Sequence, residues 1–161
     1  MILYSIASGS SGNCTYVGSG RTNLLVDAGI SAKRIENGLN EIDVKPDTIQ
    51  GILITHEHSD HVTGLSVLAR RYNIPIYATS GTIREIKSLS SAQDIPDELF
   101  LPVRPNEPFR INDITIEPFS TSHDAAEPVC YTMQANGYKL GIATDLGMYD
   151  DYIVSKLDAS D

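Results

Sequence analysis

Gly51-Ile52-Leu53-Ile54-Thr55-His56-Glu57-His58-Ser59-Asp60-His61 is the stretch that decides how this chain reads. Its first five residues form a compact apolar run of strand length, which leads straight into three histidines and an aspartate. On extended chain, His56 and His58 point to the same side. As the chain turns toward a helix, Asp60 and His61 reach a second position nearby. Imidazoles and a carboxylate at a strand end are the donors that zinc, iron or manganese takes. A lone histidine is more often a surface or hydrogen-bonded core residue. Here three of the chain's four histidines fall within six residues, which separates them from that ordinary case.

Working outward, residues 2–6, 14–18 and 21–27 read as three short strands, with turns at Ser8–Asn13 and Gly18-Ser19-Gly20. Ser31 is placed to N-cap a helix over 32–42, with Ile35, Leu39 and Ile42 on one face. Beyond the histidines, the pattern predicts a helix over 62–72, a strand over 74–78 and a helix over 81–89. Pro96, Pro102, Pro105 and Pro108 lie within thirteen residues, so that stretch is an irregular connection or an edge strand. Asn112-Asp113 separates two short apolar segments, and a strand over 114–119 follows. Asn136-Gly137 is a hairpin turn between 128–135 and 138–144, and a last helix covers 149–157. Strands with helices between them give an α/β (α+β) class, built as one domain over 1–161.

The two remaining donor candidates stand at strand ends. His123, the fourth histidine, follows the 114–119 strand and is the obvious further nitrogen for a metal. Asp145 follows the apolar run Leu140-Gly141-Ile142-Ala143-Thr144, where the plain reading is a cap or turn residue. Rival motifs fail on spacing. A helical H-E-x-x-H site needs histidine where Asp60 stands, and Gly9-Ser10-Ser11-Gly12 closes too early for a G-x-S-x-G nucleophile turn.

Composition bounds the function classes. The chain has 161 residues, 41% hydrophobic and 20% charged, which excludes disordered, collagen-like and coiled-coil readings. No apolar run is long enough to cross a bilayer, and Met1-Ile2-Leu3-Tyr4 lacks the charged start of a signal peptide. Two cysteines, Cys14 and Cys130, make no disulfide framework, so a reducing cytoplasm is expected. A net charge of −9, from 21 acidic and 12 basic residues, counts against a chain that grips phosphate backbones. A bound metal pair can invert that field locally.

Thr55-His56-x-His58-x-Asp60-His61, then His123, then Asp145 after an apolar strand, together resemble the metallo-beta-lactamase superfamily. Ser8-Gly9-Ser10-Ser11-Gly12-Asn13-Cys14, Leu25-Val26-Asp27-Ala28-Gly29 and Ser122-His123-Asp124 narrow the resemblance to the YycJ/WalJ-type branch, associated with DNA exonuclease activity. It covers essentially the whole chain. It implies an αββα sandwich, here the first half plus part of the second sheet, and two divalent ions: zinc first, with manganese or iron as alternatives. His56, His58 and His123 match one ion position; Asp60 and His61 match the second, with Asp145 bridging. Asp27 matches an aspartate that orients ligands. Asp60 and Asp145 are expected to orient a nucleophilic water, and Asp124 to handle a proton or support the site.

DNA phosphodiesters are the leading substrate, with Arg70, Arg71, Arg84, Lys87, Arg104 and Arg110 as the available phosphate contacts. Two other readings stay open: a small ester, thioester or beta-lactam hydrolase, and a catalytically incomplete metal-binding module. The resemblance also implies a further ligand histidine beyond residue 161. The chain therefore reads as a shortened member, in which the second ion is labile and the uncovered edge self-associates or takes a partner chain.

Overall fold

The computed structural model describes residues 1–161. A six-stranded sheet runs in the order β1 (Ile2–Ala7), β2 (Cys14–Gly18), β3 (Asn23–Val26), β4 (Gly51–Leu53), β5 (Ile76–Thr79) and β6 (Phe100–Val103). The first three strands pair antiparallel, and β3 through β6 pair parallel. A second, antiparallel sheet has the order β10 (Tyr138–Ile142), β9 (Val129–Ala135), β8 (Ile114–Ser120), β7 (Phe109–Ile111).

Alternation along the strands sorts the core into layers. Tyr16, Leu25, Ile52, Ile54 and Ile76 face a helical layer of α1 (Ala32–Glu41), α3 (Leu65–Tyr72) and α4 (Ser80–Ser88), meeting Ile35, Leu39, Leu65, Leu68 and Ile86. Their neighbours Val17, Leu24, Val26 and Leu53 face the second sheet and pack on Ile114, Ile116, Val129, Tyr131 and Met133. On the outer side of that sheet, Phe119 and Cys130 cover Ile153 of α5 (Asp151–Leu157). The layers are therefore α, β, β, α, with one short helix in the last, as the resemblance implies. No helix is long and apolar enough to cross a membrane.

Several boundaries differ from the pattern-based ones, each for a local reason. The helix expected over 62–72 is two pieces, α2 (Ser59–Val62) and α3, broken at Thr63-Gly64. A Cβ at Gly64 would stand 2.3 Å from the Ile30 carbonyl oxygen, so the chain turns there against the loop after β3. β5 starts at Ile76 and not at 74, because Pro75 has no N–H to give a ladder. β4 ends at Leu53, which frees Ile54 and Thr55 for cross-sheet bonds. The proline-rich stretch does yield an edge strand, β6, carrying Pro102. The Asn136-Gly137 hairpin forms, with Asn136 at φ 53° and Gly137 at φ 81°.

β1 and β10 are open sheet edges. Ile2, Leu3 and Tyr138 are 60%, 52% and 54% exposed there and line a shallow groove of about 200 Å³ with Met1 and Leu140.

Candidate metal centre

Parallel strands β3 and β4 end side by side, and the site is built on their carboxyl ends, where open α/β sheets place ligands. Asp27 follows β3 in the left-handed region, at φ 61°, and its N–H donates to the Leu53 carbonyl at 2.8 Å. Asp27 is 1% exposed. Its carboxylate accepts the Thr55 N–H at 2.8 Å and the Thr55 hydroxyl at 2.9 and 3.1 Å. It also accepts from Nδ1 of His61 at 2.8 Å. The same Thr55 hydroxyl lies 3.0 Å from Nδ1 of His56. One carboxylate and one hydroxyl thus hold the Nδ1 side of two histidines and leave each Nε2 free to face outward from this hub.

The four imidazoles converge. The His56 ring centroid lies 4.6 Å from that of His58, 4.0 Å from His61 and 4.7 Å from His123. Two donor groups result, His56 with His58 and His123, and His56 with His61 and Asp145. The first is the expected trio. The second differs from expectation in taking His56 where Asp60 was assigned. Asp60 stands at its edge, with Oδ2 3.6 Å from Nε2 of His61, while Oδ2 of Asp145 is 3.0 Å from that nitrogen. Asp145 is also held in the left-handed region, at φ 50°.

Electrostatics suit a cation. Burial pushes His56 down to about 3, reinforced by the neighbouring rings of His61, His58 and His123, so its imidazole is neutral and its lone pair available. For His61, burial works against protonation, but the hydrogen bond and charge of Asp27, with Asp60 and Asp145, outweigh it and raise the pKa. Burial pushes Asp27 up, opposed by its bonds from His61 and Thr55.

Two contacts test whether the donors fit a metal. Nε2 of His123 faces Nδ1 of His58 at 3.3 Å, close to the roughly 3.3 Å that separates two nitrogens bound tetrahedrally to zinc at about 2.0–2.1 Å. Nε2 of His61 is flanked by a donor, the Asn13 amide nitrogen at 3.2 Å, and by the Asp145 carboxylate at 3.0 Å. No single protonation state of the ring satisfies both neighbours. A proton on Nε2 would face the Asn13 N–H, and without it the carboxylate would face a lone pair. A cation between ring and carboxylate resolves the conflict. The residues fit a metal.

The second sheet delivers His123 and Asp145 on loops tied to the first. The Tyr131 hydroxyl donates to the Ile54 carbonyl at 2.8 Å, and the Val129 N–H to the Thr55 carbonyl at 2.9 Å. Glu57 accepts the Ala126 N–H at 2.8 Å, joining the His56–His58 turn to the His123 loop. The Gly147 N–H donates to the Ser122 carbonyl at 2.6 Å, joining the Asp145 loop to it as well. Sequence reasoning missed Thr55, Glu57 and Asn13 as parts of the site. Thr55 and Glu57 lie in the histidine-rich stretch and Asn13 in the glycine-rich motif, which is the signal the sequence offers.

Other expected residues do not gather here. Asp124 is exposed and joins none of the cluster's hydrogen bonds, because its loop turns the side chain to solvent. Of the cations offered for phosphate, Arg70 pairs with Asp94, Arg71 with Glu36, Arg84 with Glu85, Lys87 with Asp97 and Arg104 with Glu107. Those five are engaged by surface acids; Arg110 is not in an ion pair.

Residues 22–161 match the family described as the beta-lactamase superfamily domain. The chain is 42% identical over 146 residues to Exodeoxyribonuclease YycJ of Bacillus anthracis, covering 91% of this chain and 54% of that one. It is 39% identical over 162 residues to Exodeoxyribonuclease WalJ of Streptococcus pneumoniae, covering 98% of this chain and 59% of that one. It therefore spans somewhat over half the length of these relatives. In fold it is similar to the metallo-beta-lactamase fold protein YhfI from Bacillus subtilis, with a TM-score of 0.78 at 17% identity, over 99% of this chain and 68% of that one.

Proposed function

Since the chain belongs to the metallo-beta-lactamase superfamily, we propose that it is a metal-dependent hydrolase acting on DNA phosphodiesters from a dinuclear site. One observation carries this: donors from both sheets meet in two adjoining groups that share His56. His56, His58 and His123 would hold one ion, and His61 with Asp145 and Asp60 the other. When bound, divalent ions at such a site lower the pKa of water toward neutrality and polarise a phosphoryl oxygen. The chain's own residues do the remaining work. Asp27 and Thr55 fix the histidine tautomers, and Asp60 and Asp145 accept hydrogen bonds from the attacking water and so orient it. Zinc suits the nitrogen-rich group, while the oxygen donors of the second group also suit manganese or iron.

DNA is chosen over small esters because the sequence relatives covering most of the chain are named exodeoxyribonucleases. Residues 1–161 are proposed to act as one domain. Self-association through the β1 and β10 edges is proposed from the exposed Ile2, Leu3 and Tyr138, and a monomeric mass in light scattering would overturn that part.

The test is metal analysis of the purified chain together with digestion of end-labelled linear DNA. Two ions per chain, with digestion lost in His58→Ala and Asp145→Ala, is the expected result. At most one ion and intact DNA would leave a metal-binding module. Hydrolysis of a chromogenic beta-lactam or thioester with DNA untouched would transfer the site to small substrates.

A further inference from the structure

The glycine-rich turn between β1 and β2 is the motif that the metal site leaves unused, and its last side chain reaches that site. Asn13 is firmly held. Its N–H donates to the Asp60 carbonyl at 2.8 Å, and its own carbonyl accepts the Gly29 N–H at 2.7 Å. Its side-chain oxygen accepts the Gly9 N–H at 3.1 Å, and its amide nitrogen donates to the Gly9 carbonyl at 3.2 Å. This network orients the amide, because Oδ1 meets a donor and Nδ2 an acceptor. The second hydrogen on Nδ2 lies between Nε2 of His61, 3.2 Å away, and the Asp60 carbonyl at 3.5 Å.

An imidazole nitrogen has one lone pair in the ring plane. A cation that takes the His61 lone pair leaves the Asn13 N–H only the long contact to the Asp60 carbonyl at 3.5 Å. That hydrogen then stands beside the cation position, on a half-buried residue that two backbone and two side-chain bonds keep in place. The turn next to it, Ser8 to Ser11, is exposed, so a substrate oxygen has access.

Resting on the hydrolase reading above, we propose that Asn13 is a substrate-binding residue whose amide N–H, beside the loaded metal position, donates to a phosphoryl oxygen of the substrate. The loop Ser8–Asn13 thereby belongs to the substrate site. In this role Asn13 gives the metal-bound His61 no support. That distinguishes it from a residue that props a ligand in position, whose loss weakens metal binding about 10–100-fold.

The test uses inorganic phosphate as the probe and the zinc-loaded full chain, with calorimetry for phosphate and chelator competition for zinc. Asn13→Ala removes the amide. Asn13→Asp keeps the acceptor for the Gly9 N–H and removes both amide hydrogens while adding a negative charge. Retained phosphate affinity in it would overturn the proposal even should the alanine variant be misfolded, and the uncharged alanine separates donor loss from charge repulsion. Both variants are expected to bind zinc at least as tightly as the parent. Both should lose phosphate affinity by about tenfold or more, the loss expected for a hydrogen bond to a charged acceptor. Phosphate binding within twofold of the parent at equal zinc content would overturn the proposal. A large fall in zinc affinity would also overturn it, making Asn13 a support for His61. A parent chain that takes up no second ion would instead sink the hydrolase reading, which keeps the two failures apart.

Discussion

Replacing Thr55 by valine isolates the hub on which both proposed metal positions depend. Valine matches the shape and removes only the hydroxyl, which lies 2.9 and 3.1 Å from the Asp27 oxygens and 3.0 Å from Nδ1 of His56. The buried carboxylate loses one donor while keeping the Thr55 N–H and His61, at about 1.5–3 kcal/mol for a hydrogen bond to a charged group. Nδ1 of His56 loses its partner in a nearly dry site, at about 1–3 kcal/mol. These losses share one hydroxyl and overlap, so the expected destabilisation of the metal-free chain is about 2–4 kcal/mol. Urea unfolding would measure it, and zinc affinity by chelator competition should fall about 10–100-fold. Thr55→Ser, which keeps the hydroxyl, should sit close to the parent in both assays. A valine variant within about 0.5 kcal/mol of the parent, with unchanged zinc affinity, would refute the hub.

Gly29→Ala should be among the most damaging single changes, because its Cβ would stand 1.6 Å from the Asp60 carbonyl oxygen, backbone that cannot step aside. A loss of about 3 kcal/mol or more together with lost metal uptake is expected, and a stable, metal-replete variant would contradict it. Asp124→Ala should leave metal stoichiometry untouched, while Asp145→Ala should remove the second ion; equal effects in metal analysis would contradict the site as assigned. The metal-free chain should lose stability on both sides of neutrality. His56, lowered from 6.5 to about 3, contributes stability that is complete above 6.5 and lost as pH falls through about 3. His61, raised above 6.5, contributes stability that is complete below 6.5 and lost as pH rises through its own pKa. Urea midpoints measured across pH should show both flanks, and saturating zinc should remove the alkaline one, because the ion replaces the His61 proton. A flat profile without metal would refute this.

Much of the proposed donor cluster could be read in the sequence because donors are residue types, and a strand end is visible as an apolar run meeting polar residues. His56, His58, His61, His123 and Asp145 all declared themselves this way. The supporting contacts could not be read, since they depend on which loops cross in space. Glu57 looks like a spacer between two histidines, yet it meets Ala126, sixty-nine residues away. Asp124 failed for the same reason in reverse: adjacency to His123 says nothing about which way a loop residue points. The break at Gly64 was hidden because the apolar spacing continues through it, and only the close approach of Ile30 forces the turn.

The donors' origin in two different sheets has a kinetic consequence. His58 and His123 meet across 65 residues of sequence, one from the turn between β4 and α2 and the other from the loop after β8. An ion held between them spans the seam of the sandwich. Any fluctuation that parts the sheets must release it, and unfolding of the loaded chain has to break those bonds early. Metal should therefore slow unfolding far more than it speeds folding, and the lifetime of the bound ion becomes a clock for how often the two sheets separate.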